Sequence, residues 1–288
     1  MDFTVVIVSF KSFHLVEKHI KNIDKKYKII IIENSLDKDL KTRIEKNYSN
    51  VTVILPQKNL GYGSALNLGI EKSLTKFVFC MVADVEIKKD CFLSVASILE
   101  KFDDFSLMTP TYFDETIYKN YTSKKYNPKI TEISNFLIKE VDEIDGAIMI
   151  INKDKFFSKN IMDEKIFLYF ENTDLCLRLR RNNQKIFIIE NLKFEHLGRQ
   201  SSHPKFHKEI LISRNWHYCW SKFYFYKKHY NYFYAFIKTF PNLIRALKYY
   251  IYFKFKKDNY NILLHKAELS GLFNAYMLKK SNYRPNIN

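Results

Sequence analysis

Glycine and proline are scarce, 6 of each in 288 residues, which excludes collagen-like and low-complexity chains. The four cysteines, Cys80, Cys91, Cys176 and Cys219, form no CxxC pair. Their spacings suit neither a zinc site nor a disulfide framework, so a reducing cytoplasm is the expected compartment. No apolar run is long enough to predict a transmembrane helix. The opening MDFTVVIVSF has an acid at Asp2, no basic leader and too short an apolar run for a signal peptide. Acidic residues nearly vanish near the end of the chain. Residues 199–288 hold 17 Lys/Arg against 3 Asp/Glu, so +14 of the net +16 lies there and the first 198 residues carry +2. That asymmetry points to a near-neutral body with a basic appendage that meets a polyanionic partner.

What is present first is a rhythm. FTVVIVSF (3–10), KIIIIEN (28–34), VTVIL (51–55) and KFVFCMVAD (76–84) are continuous apolar runs, as expected of strands buried on both faces. Polar segments with helical spacing lie between them, at 12–22, 38–47 and 64–74. Strands alternating with helices predict an α/β fold with a mostly parallel sheet flanked by helices. Ligands of such sheets sit outside the carboxyl ends of the strands. Ser9, Glu33 with Asn34, and Asp84 fall at those ends. Residues 105–112 and EIDGAIMIIN (143–152) read as two further strands, with a surface segment between. A helix is expected from near Asn172 to Arg181, followed by a strand, and the chain from 203 on reads as helical.

Four segments carry candidate chemistry. NLGYGSALNLGI (59–70) is a tight turn into a helix, with Ser64 as the expected N-cap. It is not a P-loop, because no GK[ST] follows. Gly69 inside the helix costs about 1 kcal/mol relative to Ala, which implies close approach by a ligand or by a neighbouring element. Asp84 at a strand end suits either a turn or a divalent cation on a diphosphate. His196 becomes a metal ligand only with a partner such as Asp84, and is otherwise a packed histidine. In FLYFENTDLCLR (167–178), Glu171 and Asp174 flank a helix N-terminus. Asn172 suits an N-cap and Asp174 suits an i, i+4 pair with Arg178, a complete account without catalysis.

Taken together, order and spacing resemble the inverting family 2 glycosyltransferases of the GT-A fold, especially the bacterial rhamnosyltransferase-like branch. The segments that carry this are VVIVSF, ENSLD (33–37), Asn59-Leu60-Gly61-Tyr62-Gly63 through Asn67 and Gly69, VAD, GAIMI and YFENTDLCLR. They cover residues 3 to about 200. The resemblance implies a catalytic domain over 1–202 and a helical, basic and aromatic region over 203–288. It implies a nucleotide-diphospho-sugar donor held by Ser9, Glu33, Asn34, Asn59, Gly61, Asn67 and Asp84, with Mg²⁺ or Mn²⁺ on Asp84 and His196. Glu171 and Asn172 stand where the family has an acidic pair whose second member deprotonates the acceptor, a glycan or lipid-linked hydroxyl in cell-surface polysaccharide synthesis. Three departures stand out: Glu33 replaces an Asp, Val82 replaces the first position of the DxD metal motif, and Asn172 replaces the base. Glu171 is then the expected base, with Asp174 second. A degenerate binding module that kept the fold and lost turnover is the alternative reading.

The aromatic, Lys-rich tail has 18 rings from Trp216 to Phe255. Rings on most sides of 222–240 predict a membrane interface beyond internal packing, with Pro241 ending or kinking a helix to give two in-plane segments. The expected place is the inner face of the cytoplasmic membrane, peripheral, against anionic lipid. A nucleic-acid partner has charge and rings in its favour, but no RNP, zinc-finger or helix-turn-helix pattern occurs, and none is expected.

Overall fold

The computed structural model describes residues 2–113, 119–124, 127–158, 160–196 and 203–285. The expected boundary at 202, and the residues just after His196, lie outside that set. Strands are β1 Phe3–Ser9, β2 Lys28–Glu33, β3 Val51–Ile54, β4 Phe77–Val82, β5 Val85–Glu86, β6 Leu107–Tyr112, β7 Tyr121–Ser123, β8 Ile130–Ile133, β9 Phe136–Ile144, β10 Ile148–Asn152 and β11 Ile186–His196. Helices are α1 Phe13–Asn22, α2 Lys38–Asn47, α3 Tyr62–Lys72, α4 Lys89–Leu99, α5 Glu171–Arg181, α6 His207–His229, α7 Tyr232–Lys256 and α8 Asn259–Tyr276. By internal packing the chain forms two compact units, Met1–Met162 with Asn172–His203, and Asp163–Glu171 with Pro204–Asn288.

The first unit is an α/β sheet of order β3-β2-β1-β4-β10-β6-β11-β9-β7. β1, β2, β3 and β4 pair in parallel, as their apolar runs and intervening helices require. The chain moves outward from β1 to β3, then returns to the other side of β1 as β4. That reversal puts the switch in strand order at the carboxyl ends of β1 and β4, where such sheets bind ligands. Val5, Ile7, Ile29, Ile31 and Phe79 anchor the core.

Three local expectations change. α3 starts at Tyr62 on Gly61 (φ 80°), a conformation that favours glycine, and Ser64 lies inside the helix. The single strand expected over 143–152 is two, because Asp145 and Gly146 break the chain between β9 and the antiparallel β10. Residues 130–142, read as surface, form β8 and most of β9, which pair with each other, while β9 pairs with β11.

Gly69 is explained by a neighbouring element. A Cβ there would overlap the Val6 side chain of β1, so the helix lies close on the sheet. Gly69→Ala should lower stability by about 1–3 kcal/mol. Urea denaturation of the variant would show a lower midpoint with an unchanged slope; an unchanged midpoint would mean the contact relaxes freely.

The second unit is built on α6, α7 and α8, each packed on the other two. Its core gathers Ile212, Trp216, Trp220, Phe223, Ala235 and Ala267. Gly271 lets α8 approach α6, since a Cβ would strike the Trp216 carbonyl. Asn231 and Asp258 cap α7 and α8 by accepting from Tyr234 N–H (2.8 Å) and Asn261 N–H (3.1 Å). Pro241 neither ends nor divides a helix: α7 runs from Tyr232 to Lys256 with Pro241 inside it. An interior proline costs about 3 kcal/mol, and the buried Ala235, Thr239 and Ala246 supply the packing that offsets it.

Candidate active site

Ser9 and Glu33 end adjacent parallel strands in direct register. Both are buried, and Ser9 Oγ and Glu33 Oε2 find no hydrogen-bond partner among the described residues. Buried polar atoms are ordinarily paired, so two orphans side by side at the ligand edge leave an acceptor and a hydroxyl open to a polar ligand. The other carboxylate oxygen of Glu33 accepts from the Ser35 N–H (2.8 Å) and hydroxyl, which fixes the side chain.

Asn34 works on the loop. Its N–H donates to the Ser9 carbonyl (2.8 Å), its amide donates to the Gly61 carbonyl (3.0 Å) and its oxygen accepts from Leu60 N–H (3.1 Å). Asn59 accepts from Gly61 N–H at 3.0 Å. These bonds hold the Gly61 turn against the ends of β1 and β2. Asn67 is committed elsewhere, donating to the Met162 carbonyl (3.0 Å) and accepting from Met162 N–H (2.8 Å). It clamps α3 to the chain near 162.

Asp84 follows β4 and is buried. Pairing of β5 with the end of β11 sets His196 opposite Val85, which brings His196 Nε2 to 3.4 Å from Asp84 Oδ1. The partner that the histidine needed is therefore present. On its other side, His196 Nδ1 lies 2.9 Å from the Tyr112 hydroxyl, which donates to Asp145. The imidazole is thus held between the Asp84 carboxylate on its Nε2 side and the Tyr112 hydroxyl on its Nδ1 side. Asp145 also accepts from Ala147 N–H (3.0 Å). Desolvation pushes its carboxyl above the usual range, and the Tyr112 bond works against that. Tyr112 and Asp145 were not foreseen; the acid just before GAIMI was the available signal.

No group of three or more His, Cys, Asp or Glu is placed to hold a metal among the described residues. One carboxylate and one imidazole nevertheless suit Mg²⁺ or Mn²⁺ that completes its shell with substrate phosphate oxygens. The donor set fits such an ion only together with a diphosphate.

The acidic segment resolves into different tasks. Asn172 donates its amide to the Ile144 carbonyl (2.8 Å) and sits in the first turn of α5, one residue past the start of the helix. Asp174 is fully buried and pairs with Arg178 Nε at 2.8 Å, as the i, i+4 spacing predicted. Arg178 in turn donates to the Ile161 carbonyl (2.6 Å). Both residues are structurally occupied. Glu171 is not: its Oε2 is buried without a partner among the described residues, and burial pushes its carboxyl up to about 7. It follows Tyr169 and Phe170, both at positive φ (68° and 70°), a conformation that non-glycine residues seldom adopt. A carboxylate poised near neutral pH is suited to general-base work.

Comparison with known proteins bears on the family and the fold. A family model described as glycosyl transferase family 2 matches residues 4–156. The low-salt glycan biosynthesis hexosyltransferase Agl10 of Haloferax volcanii is 25% identical over 202 residues, and the match spans 64% of this chain and 64% of that relative. Among solved structures, S. aureus TarS 1-349 superposes with a TM-score of 0.55 at 13% identity, covering 97% of this chain and 92% of that one. The mannosyltransferase PcManGT of Pyrobaculum calidifontis, in complex with GDP-Man and Mn²⁺, gives a TM-score of 0.53 at 10% identity, covering 95% and 86%. These two share the fold.

Proposed function

The chain belongs to glycosyl transferase family 2, and on that premise we propose that it transfers a hexosyl or deoxyhexosyl group from a nucleotide-diphospho-sugar to a glycan or lipid-linked hydroxyl, with inversion. The observation that carries this is the pair of orphaned atoms, Ser9 Oγ and Glu33 Oε2, at the same sheet edge as Asp84. A base and ribose offer the N–H and O–H groups that such atoms bind. The motifs of the rhamnosyltransferase-like branch support a deoxyhexose among the donors. We take 1–202 as the catalytic region and 203–288 as its helical extension.

In the proposed reaction the acceptor oxygen attacks the anomeric carbon as the bond to the diphosphate oxygen breaks, and Glu171 takes the acceptor's proton. Asp84 and His196 would hold Mg²⁺ or Mn²⁺ on the diphosphate, and the ion would neutralise charge on the leaving group. The Mn²⁺ in the PcManGT complex supports this reading. Tyr112 and Asp145 position His196. Asn34 and Asn59 shape the Gly61 turn at the donor, and Asn67 fastens the helix that follows it to Met162.

The test is thermal unfolding with a panel of nucleotide sugars, with and without Mn²⁺. A donor at 100 times its Kd should add about 2.7 kcal/mol of stability. Asp84→Ala should lose the metal-dependent part of that gain and keep the fold. A panel in which no nucleotide sugar shifts unfolding would overturn the assignment. A second reading, a binding module without turnover, draws on Val82 and the engaged Asn172; donor binding with neither transfer nor hydrolysis would establish it.

A further inference from the structure

α7 bears apolar residues on two faces. Ala235, Thr239 and Ala246 point to the helical core. On the opposite side Phe233, Ile237, Phe240, Ile244, Leu247 and Ile251 recur at intervals of three and four and are 44–72% exposed. A surface helix needs one apolar stripe, the buried one. The second stripe runs for about 27 Å at 1.5 Å per residue, longer than the scattered apolar residues that a solvated surface ordinarily shows. Its borders are cationic. α7 contains Lys238, Arg245, Lys248, Lys254 and Lys256 and no Asp or Glu. Arg245 is engaged by Glu268 of α8, while Lys238, Lys254 and Lys256 lie over the rings of Tyr234, Tyr250 and Tyr252.

We propose that this outer stripe of α7 seats the chain on an anionic lipid surface, the helix lying in the plane of the interface. Aliphatic and phenyl groups enter the headgroup boundary, tyrosines stay at its wet edge, and the lysines meet phosphate. Charge selects this occupant. Two copies paired along the stripe would set cationic borders against each other with no acid on either α7. Four of the six stripe residues are aliphatic and offer no ring for a nucleic-acid base. Crossing is excluded for the described helices, none of which is long and apolar enough. The inner face of a cytoplasmic membrane has the required charge. In purpose the inference rests on the lipid-linked acceptor proposed above, but lipid binding is measured without donor, so its failure and that of the transfer reading are distinguishable.

The experiment is flotation of the full chain with vesicles of phosphatidylcholine alone, and of phosphatidylcholine with phosphatidylglycerol in equal parts, at low and high salt. Recovery is expected with the anionic vesicles and should fall with salt. Ile244→Glu with Leu247→Glu should weaken binding about tenfold or more with helix content retained; Phe233→Ser with Ile251→Ser is a milder second pair. Equal recovery on neutral vesicles, or anionic binding unchanged in both pairs, would overturn the proposal. So would a chain that is dimeric without lipid and becomes monomeric in these variants, or one that binds oligonucleotides and not vesicles.

Discussion

Glu171→Gln is expected to lower transfer by about 10²–10⁴-fold, the usual weight of a general base, while donor affinity stays at the wild-type level. The same substitution should raise stability at alkaline pH. Burial lifts the Glu171 carboxyl from 4.5 to about 7 in the folded chain. Between those values the folded protein binds more protons than the unfolded one, so its stability falls as pH rises through that window. The cost of ionising the buried group approaches about 3 kcal/mol above it. Glutamine removes that cost, so the variant should melt above wild type at pH 8 and close to it at pH 5. The rate of the wild-type enzyme should rise with a midpoint near 7. A variant that transfers at the wild-type rate removes Glu171 from the chemistry. One that loses activity but shows no pH-dependent gain in melting would mean the group is solvated.

Asp174→Ala is expected to cost about 2–3 kcal/mol, by leaving the Arg178 guanidinium without its carboxylate. The cost falls just below the ~3–5 kcal/mol of fully buried pairs because Arg178 is 32% exposed on its side chain. Its second bond, to the Ile161 carbonyl, keeps it from swinging into water. Urea denaturation should show the loss. If the variant instead unfolds like wild type and has lost turnover, Asp174 is the base and the roles proposed for these two acids exchange.

The sequence by itself determined the parallel half of the sheet, because each β-branched run must be buried on both faces and each intervening segment has a helical period. It also determined the Gly61 turn and the Asp174–Arg178 pair, since both depend on residues within a few positions of one another. Tertiary structure decided what those signals leave open. Gly69 answers to Val6, Asn67 to Met162, and Asn172 to Ile144. A pattern of residue types does not say which distant backbone a side chain will meet. The direction of β10, the delivery of His196 to Asp84 by β5–β11 pairing, and the Tyr112–Asp145 support behind it all follow from strand order. Local periodicity does not encode strand order. In α7 the rings and lysines were legible, but their division into a buried face and an exposed one came only from packing on α6 and α8, and the same packing carried the helix through Pro241.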